Sequence, residues 1–413
     1  MTRWERRLAA VLVLSLSAFA QTSRLTFPIQ PVILSDDDGS RAARITAAEI
    51  RVWIGHANDV WKSARIGFEF ANPPLELRST LLNGMMGEAD PNWEAERTAA
   101  NRIARQHPGR LVIFFRFGPG PEATRKSFSW TDVNFIVMGG FRGNLLCGQE
   151  NLDLMAHEIG HYFGLTHTFR RTFTSTAEAE QHFLARGASP SVFAVDELGD
   201  SPVAPFIRDL ECSTEEEVTL GGRSFAIPRD NLMSYYGKPQ GGRTPRRLSA
   251  QQVSWARRVA ELRLRGNGSL PTNAKSDGAL QVETLATSGL QGVLPGGELV
   301  GEAWSGGRAV FYRAVKGGSL QLAIAVAQRA KYRMEWYGGL GPDYADLRLW
   351  LDGKLLRQEL RCWAPLVTPS GPIDIALGRL SAGQHTLRFE AAAKGPLSKG
   401  FNLALDCIRL SRE

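Results

Sequence analysis

Residues 157–167 read HEIGHYFGLTH, and this stretch decides the chemistry and the fold of the region around it. The surrounding segment, 151–165, has the apolar spacing of a helix. Residues at i and i+4 of a helix share one face, about 6 Å apart along the axis. His157 and His161 are therefore placed to bind one metal ion, and Glu158 lies beside them within reach of a water on that ion.

A glycine after the second histidine lets the chain turn sharply. Gly164 accepts a positive φ without a steric penalty, and such a turn brings His167 round as a third ligand. Three neutral imidazoles with one open position suit a catalytic Zn²⁺. We therefore predict one catalytic zinc held by His157, His161 and His167. The alternative is a protein that binds the metal without catalysis.

Outward from this motif, residues 25–265 alternate strand and helix signals. The apolar runs at 111–117 and 133–138 are short enough for strands. The segment 45–64 has the period of an amphipathic helix, with Thr46 as N-cap and a glutamate completing a capping box. This order predicts an α/β (α+β) domain in which helices back a sheet.

Beyond residue 270 the helical period disappears and short strand signals follow one another. The segment 265–273 reads RGNGSLPTN, and its glycine, proline and asparagine content is typical of a domain boundary. Asp352-Gly353 is a strong signal for a two-residue hairpin turn. We predict a first domain over 21–268 and an all-β sandwich over 269–413.

The motif at 157–167 resembles the long zinc signature of the metzincin metalloproteases. NLMSY at 231–235 resembles the methionine-containing turn that lies beneath the zinc in that family. The resemblance implies that Met233 supports the site and that Tyr235 lies near the metal, where a phenol can donate a hydrogen bond to a developing oxyanion. Taken alone, both residues are also compatible with ordinary core packing.

Within the metzincins, the chain is most similar to the pappalysins, from about residue 28 to residue 264. The matching segments are HTF at 167–169, LGDSP at 198–202 and RLSAQQ at 247–252. The resemblance implies a zinc endopeptidase that cleaves peptide or protein substrates, with Glu158 as general base. The alternative is an inactive metzincin scaffold that serves a secreted glycan-binding or adhesion protein.

The sequence departs from the pappalysins directly after the third histidine. Arg-Arg-Thr at 170–172 stands where family members commonly have Gly-Gly-Cys. Calcium sites occur in some pappalysins, and here Asp196, Glu197 and Asp200 offer oxygen ligands that suit Ca²⁺. Three acids within five residues are more often a solvated loop than a calcium site.

The four cysteines fall as two pairs along the sequence, and four cysteines allow three connectivities. In an oxidising compartment we expect Cys147 to pair with Cys212 and Cys362 with Cys407, because the two groups lie in different predicted domains. The departure at 170–172 also leaves Cys147 as the available partner for Cys212. The alternative is that they are free buried thiols.

The amino terminus predicts export. Three arginines precede an apolar run at 8–19, which ends in the cleavage-like Ala-Phe-Ala at 18–20. That run is shorter than the roughly 20 residues of a membrane span. We predict a signal peptide over 1–20 and a secreted protein with no membrane span.

Charge and aromatic content bear on the partners. The formal net charge is +7, but helical spacing places most arginines of the stretch 243–265 on a solvated face, so we expect no nucleic-acid partner. The tail resembles galactose-binding-like and carbohydrate-binding sandwich modules. Four of its aromatics form either a sugar-stacking platform, with a glycan as partner, or part of the core. They are Trp336, Tyr337, Trp350 and Trp363.

Overall fold

The computed structural model describes nine segments of the chain, which exclude the predicted signal peptide. They are residues 23–70, 73–88, 90–117, 127–139, 145–194, 198–237, 246–274, 276–285 and 287–413.

Six α-helices lie in the described segments, all before residue 266. They are α1 (Ala47–Trp61), α2 (Thr80–Asn83), α3 (Trp93–Arg105), α4 (Asp153–Tyr162), α5 (Thr176–Ala185) and α6 (Ala250–Arg265). The predicted capping box at the start of α1 is confirmed: the Glu49 backbone N–H donates to the Thr46 hydroxyl, and the Thr46 backbone N–H donates to the Glu49 carboxylate.

The strands of the first region are mostly short. They are β1 (Leu25–Ser35), β2 (Ile66–Phe70), β3 (Leu75–Arg78), β4 (Leu111–Phe115), β5 (Phe135–Met138), β6 (Leu145–Leu146), β7 (Gln149–Glu150), β8 (Thr172–Phe173), β9 (Phe206–Ile207), β10 (Glu217–Leu220) and β11 (Arg223–Ala226).

The described part of the tail contains ten strands, most of which are long. They are β12 (Leu280–Gln281), β13 (Thr287–Val300), β14 (Arg308–Val326), β15 (Ala330–Leu340), β16 (Asp346–Leu351), β17 (Lys354–Arg361), β18 (Thr368–Pro369), β19 (Ile373–Leu380), β20 (Gly383–Ala393) and β21 (Leu403–Arg412).

A parallel sheet organises the first region. Its order is β2-β1-β4-β5, with β3 also paired to β1. Successive side chains of a strand point to opposite faces. On β4, Leu111 and Ile113 join the apolar cluster shared with α1, α4 and α6, whereas Val112 and Phe114 join a second cluster with α3. The sheet is therefore covered by helices on both faces, which explains why β4 is apolar at every position.

The described part of the tail contains β-strands and two single-turn 3-10 helices but no α-helix, so the all-β expectation is confirmed. Its ten strands form one curled antiparallel sheet in which the order β17-β16-β20-β14-β21-β15-β18 forms the main path. The predicted hairpin turn is confirmed between β16 and β17, where Asp352 and Gly353 both have positive φ, 48° and 80°. A single apolar cluster fills the interior of this sheet.

Two of the four tail aromatics belong to the core and not to a sugar-stacking platform. Trp336 is fully buried and Tyr337 is nearly so, so neither belongs to an exposed platform. Trp350 and Trp363 are half-buried; an arginine side chain covers the Trp350 ring. The platform alternative therefore fails for Trp336 and Tyr337, because both side chains are buried.

One of the two predicted disulfides is confirmed. Cys147 and Cys212 are bonded, which is typical of an oxidising compartment. The second prediction is wrong: Cys362 and Cys407 are free, buried thiols. The Cys362 sulfur contacts the Leu360 carbonyl, whereas the Cys407 sulfur contacts the Ser276 hydroxyl, so the two thiols occupy separate pockets of the interior. Among the described residues, no helix is long and apolar enough to cross a membrane.

Candidate metal centre

Three histidines predicted as ligands converge on one point. The Nε2 atom of His161 lies 3.1 Å from that of His157 and 3.1 Å from that of His167, and the His157 and His167 Nε2 atoms are 3.3 Å apart. Among the described residues, these three form the only group of His, Cys, Asp and Glu close enough to share a metal ion. Helix α4 supplies the first two, and the segment after it supplies the third.

Backbone carbonyls fix how two of the rings are protonated. The His157 Nδ1 atom is 2.8 Å from the Leu232 carbonyl, and the His161 Nδ1 atom is 2.7 Å from the Leu165 carbonyl. Because a carbonyl only accepts, each Nδ1 must carry the proton and donate it. The Nε2 lone pairs of both rings are therefore directed at the shared point, as in histidine ligands oriented by an outer shell.

The site favours neutral imidazoles. Burial lowers the pKa of His161 to about 4. Burial and the neighbouring His161 lower the pKa of His167 to about 3. Burial, then the charges of the other two rings, holds the pKa of His157 well below its usual range. All three rings are thus in the form that binds a metal at neutral pH.

The spacing fits a tetrahedral zinc. With Zn–N bonds of 2.0–2.1 Å, two imidazole nitrogens on one tetrahedral ion lie about 3.3–3.4 Å apart, and the three observed distances are 3.1, 3.1 and 3.3 Å. At most one hydrogen is available among the three Nε2 atoms, since two rings are protonated at Nδ1. A cation satisfies the remaining lone pairs, and hydrogen bonds among the rings do not.

Gly164 forms the turn predicted to carry the third ligand. Its φ is +82°, a conformation that favours glycine. The Trp255 indole N–H donates to the Gly164 carbonyl at 2.8 Å, so helix α6 holds the turn from outside. The next residues lead directly to His167, whose ring stacks on Phe169 with centroids 5.0 Å apart.

Met233 lies beneath α4, fully buried. A Cβ atom at Gly160 would lie 2.5 Å from the Met233 sulfur, so only glycine allows this approach. The Asn231 side-chain oxygen accepts from the Met233 N–H at 2.9 Å and holds the turn. The sequence did not single out Gly160, although its position between the two helical ligands is a signal for close packing.

We expect Gly160→Ala to weaken both the fold and the metal centre. The added methyl group displaces Met233 in a closed core, and overpacking of this kind costs about 1–3 kcal/mol. The measurements are the urea midpoint and zinc affinity by chelator competition. Gly55→Ala on α1 is the matched control, because nothing lies within 4 Å of its Cβ position, and it should raise stability by about 0.5–1 kcal/mol. A Gly160→Ala protein as stable as wild type would contradict the packing argument.

Glu158 and Tyr235 lie beside the three histidines. Glu158 is 4% exposed, and its Oε2 atom has no hydrogen-bond partner. Burial raises the pKa of Glu158 to about 8, while a hydrogen bond from the Ser129 backbone opposes that rise. Desolvation, then the nearby Glu158, raises the pKa of Tyr235 to about 12, so the phenol keeps its proton. The Tyr235 ring centroid is 4.6 Å from that of His167.

A cavity of about 290 Å³ opens next to these residues. Its lining includes His157, Glu158, Tyr235, Leu145 and Leu154. A buried glutamate with an unpartnered oxygen thus contributes to the wall of a cavity next to the three histidines.

Arg246 braces the site and was missed by the sequence analysis. Its Nη1 donates to the Ser234 carbonyl at 2.5 Å and its Nη2 to the Tyr236 carbonyl at 2.7 Å. Its Nε lies 3.3 Å from the Asp153 carboxylate, at the start of α4. The arginine therefore links the turn around Met233 to α4, which carries His157 and His161. It is 6% exposed, which corrects the expectation that it lies on a solvated face.

The predicted calcium ligands are only partly described. Asp196 and Glu197 lie outside the described residues. The Asp200 carboxylate accepts from the Ser249 hydroxyl at 2.6 Å and from the Gln251 N–H at 2.9 Å. Both donors are at the first turn of α6, so Asp200 stabilises that helix end.

No protein-family model matches the chain, and no curated protein matches it either. Similar solved structures include a Paenibacillus xanthan lyase, at 19% identity over 36% of this chain, with a TM-score of 0.28. The chain spans only 14% of that lyase. Others are a CBM35 from Paenibacillus barcinonensis (16% identity, 33% of this chain and 98% of that one, TM-score 0.26) and a family 35 carbohydrate-binding module from Clostridium thermocellum (18%, 33%, 98% and 0.24).

Proposed function

We propose that the protein is a zinc-dependent endopeptidase. The observation that supports this most directly is the convergence of three neutral imidazole nitrogens beside a buried glutamate with an unpartnered oxygen. A structural zinc site usually closes with four protein ligands, whereas here three protein ligands meet at the edge of a cavity. The resemblance of the motif at 157–167 to metzincins supports the same reaction class.

His157, His161 and His167 would hold the ion, which when bound polarises the scissile carbonyl and acidifies the attacking water. Glu158 would accept the proton of the attacking water and pass it to the leaving amine. A bound cation would favour the ionised carboxylate that this step needs, because an opposite charge lowers the pKa of a carboxyl group. Tyr235, which keeps its phenolic proton, would donate a hydrogen bond to the developing oxyanion. The buried Met233 and the Gly164 turn would hold the three histidine side chains in position.

The test combines metal analysis with cleavage of a mixed peptide library. We expect one zinc per chain, cleavage that a chelator abolishes, and recovery on adding zinc back. Removing the ion should abolish cleavage because nothing else at the site would polarise the scissile carbonyl. Cleavage that survives complete zinc removal would refute the proposal.

A glycan-binding protein with an inactive scaffold is the second candidate. It predicts zinc in the protein but no cleavage of any peptide, together with retention on immobilised polysaccharides. Glu158 counts against it, because a scaffold does not need a buried carboxylate beside the metal ligands, where burial is costly. Binding by the β-sandwich is also compatible with an active protease, so the cleavage result separates the two candidates.

A further inference from the structure

Helix α6 is shared by the two halves of the chain. Val259 and Ala260 lie in the apolar cluster of the parallel sheet, whereas Leu262 lies in the cluster of the β-sandwich. In return, Leu366 of the sandwich packs against the cluster of the parallel sheet. The two cores therefore meet across one helix.

The segment between the halves is held on both sides, unlike a flexible linker. The Tyr162 hydroxyl donates to the Gly268 carbonyl at 2.6 Å, and the Gly109 N–H donates to the Asn267 carbonyl at 2.7 Å. Further along, the Asn273 side chain donates to the Asp406 carboxylate of β21 at 2.7 Å. These contacts join the segment to α4 at one end and to the sandwich at the other.

Two arginines of α6 donate to backbone carbonyls of the sandwich. Arg258 donates to the carbonyls of Trp363 at 2.8 Å and Arg361 at 3.1 Å. Arg265 donates to the Ser370 carbonyl at 3.1 Å. Hydrogen bonds from a charged donor are stronger than neutral ones, so they fix the sandwich against the helix.

Trp255 connects this interface to the metal centre. One side of its indole meets Trp363 of the sandwich, with ring centroids 6.2 Å apart at 75°. Its Nε1 atom donates to the Gly164 carbonyl, and a Cβ atom at Gly164 would lie 3.3 Å from that nitrogen. Gly164 in turn begins the stretch that ends at His167.

We infer that the β-sandwich positions the metal centre: Trp363 presses on Trp255, which holds the Gly164 turn and thereby sets the place of the third ligand, His167. Trp363 is a positioning residue, since it touches neither the ligands nor the cavity. The inference rests on the proposed metal centre but not on peptidase activity. It gives the second half of the chain a role in the chemistry of the first.

The experiment compares Trp363→Ala with Trp350→Ala in the full chain. Both remove a half-buried tryptophan of the same sandwich, but the ring of Trp350 packs under Arg388 of β20, whereas the ring of Trp363 contacts Trp255 of α6. Loss of outer-shell support typically costs 10–100-fold in metal affinity. We therefore expect zinc affinity, measured by chelator competition, to fall about tenfold for Trp363→Ala, to change little for Trp350→Ala, and to recover in Trp363→Phe.

Hydrogen exchange in the metal-free protein provides a second readout. The Leu165 N–H donates to the Gly160 carbonyl at 2.9 Å within the turn, and its exchange should accelerate in Trp363→Ala but not in Trp350→Ala. Trp255→Phe removes the donor to Gly164, so its effect and that of Trp363→Ala should be less than additive in a double-mutant cycle.

Equal zinc affinity and equal exchange at Leu165 in Trp363→Ala and wild type would overturn the inference. Additive effects of the two substitutions would overturn the route through Trp255. If wild type binds zinc but cleaves no peptide, the proposed function fails while the positioning role is still measured by affinity. If wild type binds no zinc, the metal centre on which the inference rests does not exist, and the inference is overturned.

Discussion

Glu158→Gln is expected to abolish peptide cleavage while zinc remains bound. Glutamine has nearly the shape of glutamate but cannot accept the proton of the attacking water, and losing a general base costs about 10²–10⁴-fold in rate. The carboxylate oxygen Oε2 has no hydrogen-bond partner in the fold, so the amide breaks no structural contact there. The measurements are kcat/KM on the best library peptide and zinc content of the purified protein.

Glu96→Gln is the matched control for this result. Glu96 on α3 is also buried, at 2% exposure, and its Oε2 atom is likewise without a partner. Helix α3 packs on the opposite face of the sheet from α4, so Glu96→Gln should leave the cleavage rate unchanged. A Glu158→Gln protein that cleaves at the wild-type rate would remove Glu158 from the mechanism, even if zinc proved essential.

The convergence of His157, His161 and His167 was predictable because the geometry that brings them together is local. His157 and His161 follow from helical periodicity, and Gly164 from the need for positive φ within three residues of the second ligand. The capping box of α1 and the hairpin turn at Asp352 were predictable for the same reason. In each case the determining contact lies within a few residues of the chain.

What the sequence did not predict depends on contacts between distant residues. Gly160 is required by Met233, which lies 73 positions later and contacts it only in the folded protein. The pairing of Cys362 with Cys407 failed because sequence grouping does not say which strands of a ten-stranded sheet are neighbours. The contact between Trp255 and Trp363 joins two regions that were predicted as separate domains, and neither shows a periodicity that reveals it.

The arginines of the stretch 243–265 show where helical spacing gave a wrong prediction. Helical spacing predicts that most of them lie on a solvated face, yet Arg246 is only 6% exposed and Arg263 is fully buried. Each donates to several backbone carbonyls at the ends of elements, where no helix or strand supplies a donor. A buried guanidinium of this kind has no apolar signature in the sequence.

Arg263→Met should be the most destabilising of the substitutions considered. Arg263 is fully buried on α6, and its guanidinium lies 3.5 Å from the centroid of the Tyr162 ring. It donates to the Tyr162 carbonyl at 2.9 Å, to the Thr131 and Val133 carbonyls at 2.8 and 3.0 Å, and to Gly268 at 3.3 Å.

Methionine keeps most of the volume but donates nothing, so the carbonyls of three separate segments lose a buried donor together. An unsatisfied buried polar group costs about 1–3 kcal/mol, and partial rescue by other donors brings the expected loss to about 3–5 kcal/mol. The measurement is the urea midpoint of the metal-free protein, because zinc stabilises the folded state by binding it.

Arg97→Met is the control for Arg263→Met, since the ion pairs of Arg97 with Glu94 and Asp132 are on the surface and are worth at most about 1 kcal/mol. Because Tyr162 directly follows the ligand His161, Arg263→Met should also weaken zinc binding, whereas Arg97→Met should not. Equal urea midpoints for the two variants would mean that the four carbonyls find other donors. Arg263 would then not be the residue that joins α6 to α4.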